Sequence, residues 1–227
     1  MLKKEIKNGL STLGFYVGVS VILYLLFKQL NAVKLFTSKK PSDYLYYVAT
    51  MMAFSGFTPF ACVYPALANA ISFCDEYNNG YLPFILHRSG IKRYYFSKIG
   101  GIGIIGGLTI FIPMFLAFLA IVMFSAPLTD LTNFSAEGFY FETMWEEYLL
   151  MGKGLLIMGM KLVLGFVFGF LWALVPLAIS AWIPNRYVAL IAPFVLYQSL
   201  WSLLTDSFFN PLYLLRCDFH GLGLSYP

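Results

Sequence analysis

The chain has 227 residues, 59% hydrophobic and only 11% charged, with a mean hydropathy of +0.74. Soluble domains carry roughly 25% charged residues, so 15 basic and 11 acidic side chains are too few to coat a water-facing surface of this size, and much of it must face lipid. The net charge of +4 points to no nucleic-acid partner, and three cysteines and two histidines form neither a disulfide framework nor a metal-rich site.

Five apolar stretches, at about 10–30, 46–74, 99–125, 154–183 and 187–205, are each read as one membrane helix, since a span needs about 20 apolar residues. Lys3, Lys4, Glu5 and Lys7 precede the first. They look like the start of a signal peptide, but no small-residue cleavage site closes the run before Lys28 and Gln29, which predicts a retained span. The second stretch ends at Asp75 and Glu76 and leads into a polar segment, 75–98, in which Pro83 after Gly80 starts a short helix and Gly90 stops it. The third opens with Gly101, Gly103 and Gly106 in the spacing of the dinucleotide fingerprint. That spacing needs a preceding strand, and here it opens a membrane helix, so the fingerprint is discarded. With Gly14 and Gly18, and Gly165 and Gly169, these glycines instead supply small residues four apart, which let helices approach closely in lipid.

Residues 126–152 form an acidic, aromatic loop whose part from Glu142 to Met151 reads as a short helix on the membrane surface. In the fourth span Lys161 lies about 12 Å from Lys153 along a helix; its amine is expected to snorkel to the interface, the alternative being an anionic ligand. Ile183 to Arg186 is a tight turn into the fifth span. Within the apolar outer segment 207–227, Asn210-Pro211 is expected to begin a short helix that dips back into the outer half of the membrane or packs on the fifth span. Pro59, Pro65, Pro113, Pro176 and Pro193 lie inside the apolar stretches, where each removes a backbone bond and bends or loosens its helix.

Loop charge gives the orientation. With the N-terminus in the cytoplasm, the inner segments hold Lys3, Lys4, Lys7, Arg88, Lys92, Arg93, Lys98 and Arg186 against Glu5, Asp75 and Glu76, while the outer segments hold six basic residues. The excess of Lys and Arg inside, led by the basic N-terminus, favours N-in. No nucleophile elbow, His-Glu-x-x-His or phosphate loop is present, and Glu146-Glu147 lacks the spacing of a membrane protease, so the chain is not expected to be an enzyme.

The order Glu76, Gly80, Leu82 to Leu86, Arg88-Ser89-Gly90 and then Lys98 at the opening of the third span resembles the permeases of the type-2 ABC exporter family. The resemblance extends over nearly the whole chain. It implies an all-α polytopic membrane protein with six spans, five of them in this chain and a sixth after Pro227. It also implies a cell-membrane location, a second permease as partner, and separate ABC ATPase subunits that carry ATP and Mg, with no cofactor on this chain. Segment 75–98 would be the coupling element, with Glu76, Gly80, Leu82, Phe84, Ile85, Leu86, Arg88, Lys92 and Arg93 at the ATPase. A short apolar helix outside the bilayer must bury Leu82, Phe84, Ile85 and Leu86 somewhere, and a groove on a partner would serve. Phe54, Phe57, Phe60, Phe194 and Tyr197 would line a substrate cavity suited to a peptide, drug, antibiotic or lipid. The alternative is a membrane assembly or accessory protein without transport, in which the same loop meets anionic lipid.

Overall fold

Lipid offers no water to satisfy backbone N–H and C=O groups, so apolar stretches of this length close their hydrogen bonds within helices. The computed structural model describes residues 1–36, 44–69, 72–125, 154–204, 211 and 215, and every regular element among them is helical. In chain order these are α1 (Leu2–Leu10), α2 (Leu13–Ala32), α3 (Tyr44–Phe54), a 3-10 turn (Thr58–Phe60), α4 (Val63–Asn69), α5 (Ser72–Asn78), α6 (Leu82–Ser89), α7 (Ile91–Phe124), α8 (Gly154–Trp182) and α9 (Arg186–Leu203). Three described helices are long and apolar enough to cross a membrane: Leu13–Ala32, Ile91–Phe124 and the part of α8 from Met158 to Trp182. This is the make-up of a helical membrane protein. Segment 126–152 lies outside the described residues, as does all of 207–227 except 211 and 215.

The second apolar stretch departs from expectation. Instead of one helix over 46–74, the chain forms α3, the 3-10 turn, α4 and α5. The break comes at Gly56, whose φ of 72° is a left-handed conformation that costs glycine little and other residues more. The carbonyls freed at the end of α3 are partly satisfied locally: Ser55 N–H donates to Met51 O at 3.1 Å and Thr58 Oγ1 donates to Met52 O at 3.4 Å. The prolines at 113, 176 and 193, by contrast, lie inside α7, α8 and α9, which continue through them.

The chain divides into two compact units, one of residues 1–22, 60–112 and 165–198, the other of 23–59, 113–164 and 199–227. In the first unit, Phe15, Ala68 and Ile105 form a buried core against which Ile6, Leu10 and Leu108 pack. A second core joins Phe73, Tyr94, Ile102, Ala173 and Leu177. Between α7 and α8 the backbones nearly touch. A Cβ on Gly106 would stand 2.2 Å from Ala173 Cβ and 2.7 Å from Gly169 O, and one on Gly169 would stand 2.5 Å from Gly106 O. The small residues thus serve a seam within this chain. Gly14 does the same for α2 against α4, where a Cβ would meet Leu67 O at 2.0 Å.

In the second unit, Phe36 stacks on Phe27 at 6.3 Å and meets Phe124 edge-on at 5.2 Å, while Met51, Met52 and Phe57 are fully buried. Lys161, whose amine was expected to snorkel, is buried as well.

Candidate functional site

Seven residues of α5, Ser72 to Asn78, carry the polar chemistry of the first unit. Phe73 and Cys74 turn into the core, which leaves Asp75, Glu76 and Asn78 to reach α7 and the turn that opens α9. Glu76 Oε1 lies 2.6 Å from Lys98 Nζ, and Glu76 Oε2 accepts a hydrogen bond from the Tyr94 hydroxyl. Lys98 Nζ also meets Glu5 Oε2 of α1 at 3.3 Å. Asp75 Oδ1 stands 2.7 Å from Arg186 Nε at the start of α9; the distance is that of an ion pair, although the N–H is not aligned on that oxygen as a hydrogen bond. Asn78 Nδ2 donates to Pro184 O at 3.2 Å. One short helix thereby ties α1, the first turns of α7 and the turn before α9 together.

Lys98 is the hub. Its side chain is 1% exposed, and an ammonium so deeply buried is tolerable only when paired. Two carboxylates, one on α1 and one on α5, meet that need. Neither is fully enclosed, since Glu5 and Glu76 keep 17% and 23% of their exposure, so water still helps to solvate the excess negative charge. Close packing supports the geometry: a Cβ on Gly101 would lie 2.6 Å from Glu5 Cβ, and only glycine there lets α1 come this near to α7.

From this junction the chain enters α6 as the spacing of Gly80, Pro83 and Gly90 predicts. Gly80 has φ 70° and Gly90 φ 76°. Pro83 sits in the first turn, where its missing N–H leaves no bond unmade. Gly90 N–H closes α6 on Leu86 O at 2.9 Å, and Gly90 O then accepts from Tyr94 N–H at 3.1 Å to open α7. His87 and Arg88 fall in the last turn, where positive charge suits the helix dipole.

The side chains of α6 correct one expectation. Leu82, Ile85 and Leu86 were expected to need a partner's groove, but they pack on the chain's own core of Phe73, Tyr94, Ile102, Ala173 and Leu177. They have a partner inside the protein because α6 folds back over a core drawn from α5, α7 and α8. Phe84 alone of the four points away, 76% exposed, with Arg88, Lys92 and Arg93 also exposed. Tyr77 and Tyr81 add exposed aromatic surface.

The aromatic residues expected around a substrate path fall in several settings. In the first unit Phe60 and Phe194 stack at 5.7 Å. Tyr197 is fully buried and packs edge-on against Trp172 at 5.2 Å and Phe168 at 6.2 Å. Phe54 and Phe57 belong to the second unit, Phe54 exposed and Phe57 enclosed. Sequence reasoning singled out Glu76 but missed its pairing with Lys98 and Tyr94, the pairing of Glu5 with the same Lys98, and the ion pair of Asp75 with Arg186. The available signal was that the segments 1–9, 75–98 and 184–186 hold just three acids, each near an apolar run. No family model, curated protein or solved structure matches the chain.

Proposed function

We propose that this chain is the membrane-spanning permease subunit of an ATP-driven ABC exporter. It has five spans in the residues given, with its N-terminus and segment 75–98 in the cytoplasm of a cell bounded by its plasma membrane. It pairs with a second permease and with ATPase subunits that bind ATP and Mg, and it moves an apolar or amphipathic substrate by alternating access. The observation that supports this reading best is α6. It is a two-turn helix framed by glycines at positive φ and seated on its own core, and it presents a single exposed phenylalanine beside basic side chains. A knob on a braced helix suits the transmission of force from a partner, because the core beneath it links α5, α7 and α8. The coupling surface is accordingly Phe84, Arg88, Lys92 and Arg93, with Leu82, Ile85 and Leu86 anchoring it and Glu76 and Gly80 setting its angle.

The test is a photo-reactive amino acid at position 84, activated in native membranes and followed by mass spectrometry of the adducts. The expected product is a crosslink to a chain that carries a phosphate-binding loop. Adducts to lipid alone would favour the accessory role over transport.

A further inference from the structure

The N-terminal helix α1 has two faces of opposite character. Ile6 and Leu10 pack on the core of Phe15, Ala68 and Ile105, and Gly9 is buried. Lys3, Lys4, Lys7 and Asn8 are exposed. The one carboxylate of the helix, Glu5, turns away from that outer face to pair with Lys98, which leaves the outer face with positive charge only. Among the described residues no carboxylate lies within ion-pair distance of Lys3, Lys4 or Lys7.

The level of α1 along the molecule is fixed by its contacts on α7. Leu2 approaches Gly100 and Glu5 approaches Gly101, and these two glycines stand at the start of the apolar run 99–125. The helix also leads through Ser11 and Thr12 directly into the apolar helix α2. Thr12 bonds to Gly9 O at 2.6 Å and to Ala68 O at 2.6 Å, which holds that corner closed. A basic helix held at the height where apolar spans begin lies where phosphate headgroups lie. Exposed Met1, Leu2 and Leu13 beside the lysines supply the apolar rim that such a position favours.

We infer that the Lys3–Lys4–Lys7 face of α1 is a docking surface for anionic lipid headgroups. Buried Lys98 makes that surface possible by drawing the competing carboxylate of Glu5 inward. The inference is independent of the exporter reading, requiring only that α2 and α7 cross the membrane.

The experiment uses the full chain in nanodiscs, with Asn8→Cys carrying an environment-sensitive fluorophore in a Cys217→Ser background. Cys62 and Cys74 are fully buried and stay unlabelled. Titrating phosphatidylglycerol into phosphatidylcholine discs should move the label to a less polar setting, an effect weakened by salt. Replacing all three lysines by glutamine should lower the apparent affinity for the anionic lipid about a hundredfold at low salt, from about fivefold per lysine. Replacing them by arginine should preserve it, and since the side chains are exposed neither set should disturb the fold. The same response in pure phosphatidylcholine, or its persistence in the glutamine variant, overturns the inference. So does an equal response to inorganic phosphate, which would mark a small-anion site, or to a soluble acidic peptide in neutral discs, which would mark a protein partner.

Discussion

Two contacts hold α7 within the first unit, about 12 Å apart along its axis, and they work by opposite chemistry. At Gly106 the helix meets Gly169 of α8 with no side chain between them, and at Lys98 it meets α1 and α5 through a buried ammonium and two carboxylates. Lipid provides no hydrophobic drive between helices, so in the apolar run association depends on close approach and dispersion. At the end of that run, water reaches the two carboxylates and charge becomes usable. The seam cannot accept an added atom, and the junction cannot lose its positive charge.

The largest effect should therefore come from adding atoms at the seam. Gly106→Val places carbon against Ala173 Cβ and the Gly169 carbonyl, and because one neighbour is backbone it cannot swing aside. A loss of about 3 kcal/mol is expected, read as a lowered midpoint of thermal unfolding in detergent. Ala173→Gly in the same chain should recover only part of it, since the Gly169 carbonyl remains. A Gly106→Val protein as stable as its parent would break the account of the seam.

At the junction the effect is next in size. Lys98→Met leaves Glu5 and Glu76 facing each other without their cation. Breaking a buried pair costs about 3–5 kcal/mol, and the residual exposure of both carboxylates reduces this to about 2 kcal/mol. The distinguishing measurement is the rescue: Lys98→Met with Glu5→Gln and Glu76→Gln should regain most of the stability. If the triple variant is no better than the single, repulsion is not the cause, and Lys98 would matter for its packing instead.

Helix α6 was legible in the sequence because glycine and proline act locally. Gly80, Pro83 and Gly90 impose the same turns whatever surrounds them, so its start and stop followed from spacing alone. The division of the second apolar stretch was not legible, since Gly56 is one glycine among many, and Gly101, Gly103 and Gly106 sit in an unbroken helix. What separates them is the packing each meets. The ionic junction was half legible. Glu5, Asp75 and Glu76 were visible as acids near the apolar runs, but pairing Glu5 with Lys98 joins residues 93 apart, and no period in the chain encodes such a contact. The apolar face of α6 misled for the same reason, as Leu82, Ile85 and Leu86 gave no sign that their cover lay in the chain's own α5, α7 and α8.

The smallest effect should come from a contact one residue from the junction. Asp75 and Glu76 are neighbours on α5, and each pairs with a base on another segment at nearly the same distance, 2.7 Å and 2.6 Å. Their settings differ: Asp75 and Arg186 are 42% and 54% exposed, whereas Lys98 is 1% exposed. In water the gain from the exposed pair is screened and offset by the ordering of a long side chain, so Asp75→Asn should cost about 0.5 kcal/mol. A double-mutant cycle with Arg186→Gln isolates the pair, and its coupling should shrink further in high salt. The matching cycle for Glu76→Gln and Lys98→Met should give a coupling several times larger that salt hardly alters. Equal couplings in the two cycles would mean that burial does not separate these contacts, and Lys98 would lose its standing as the hub.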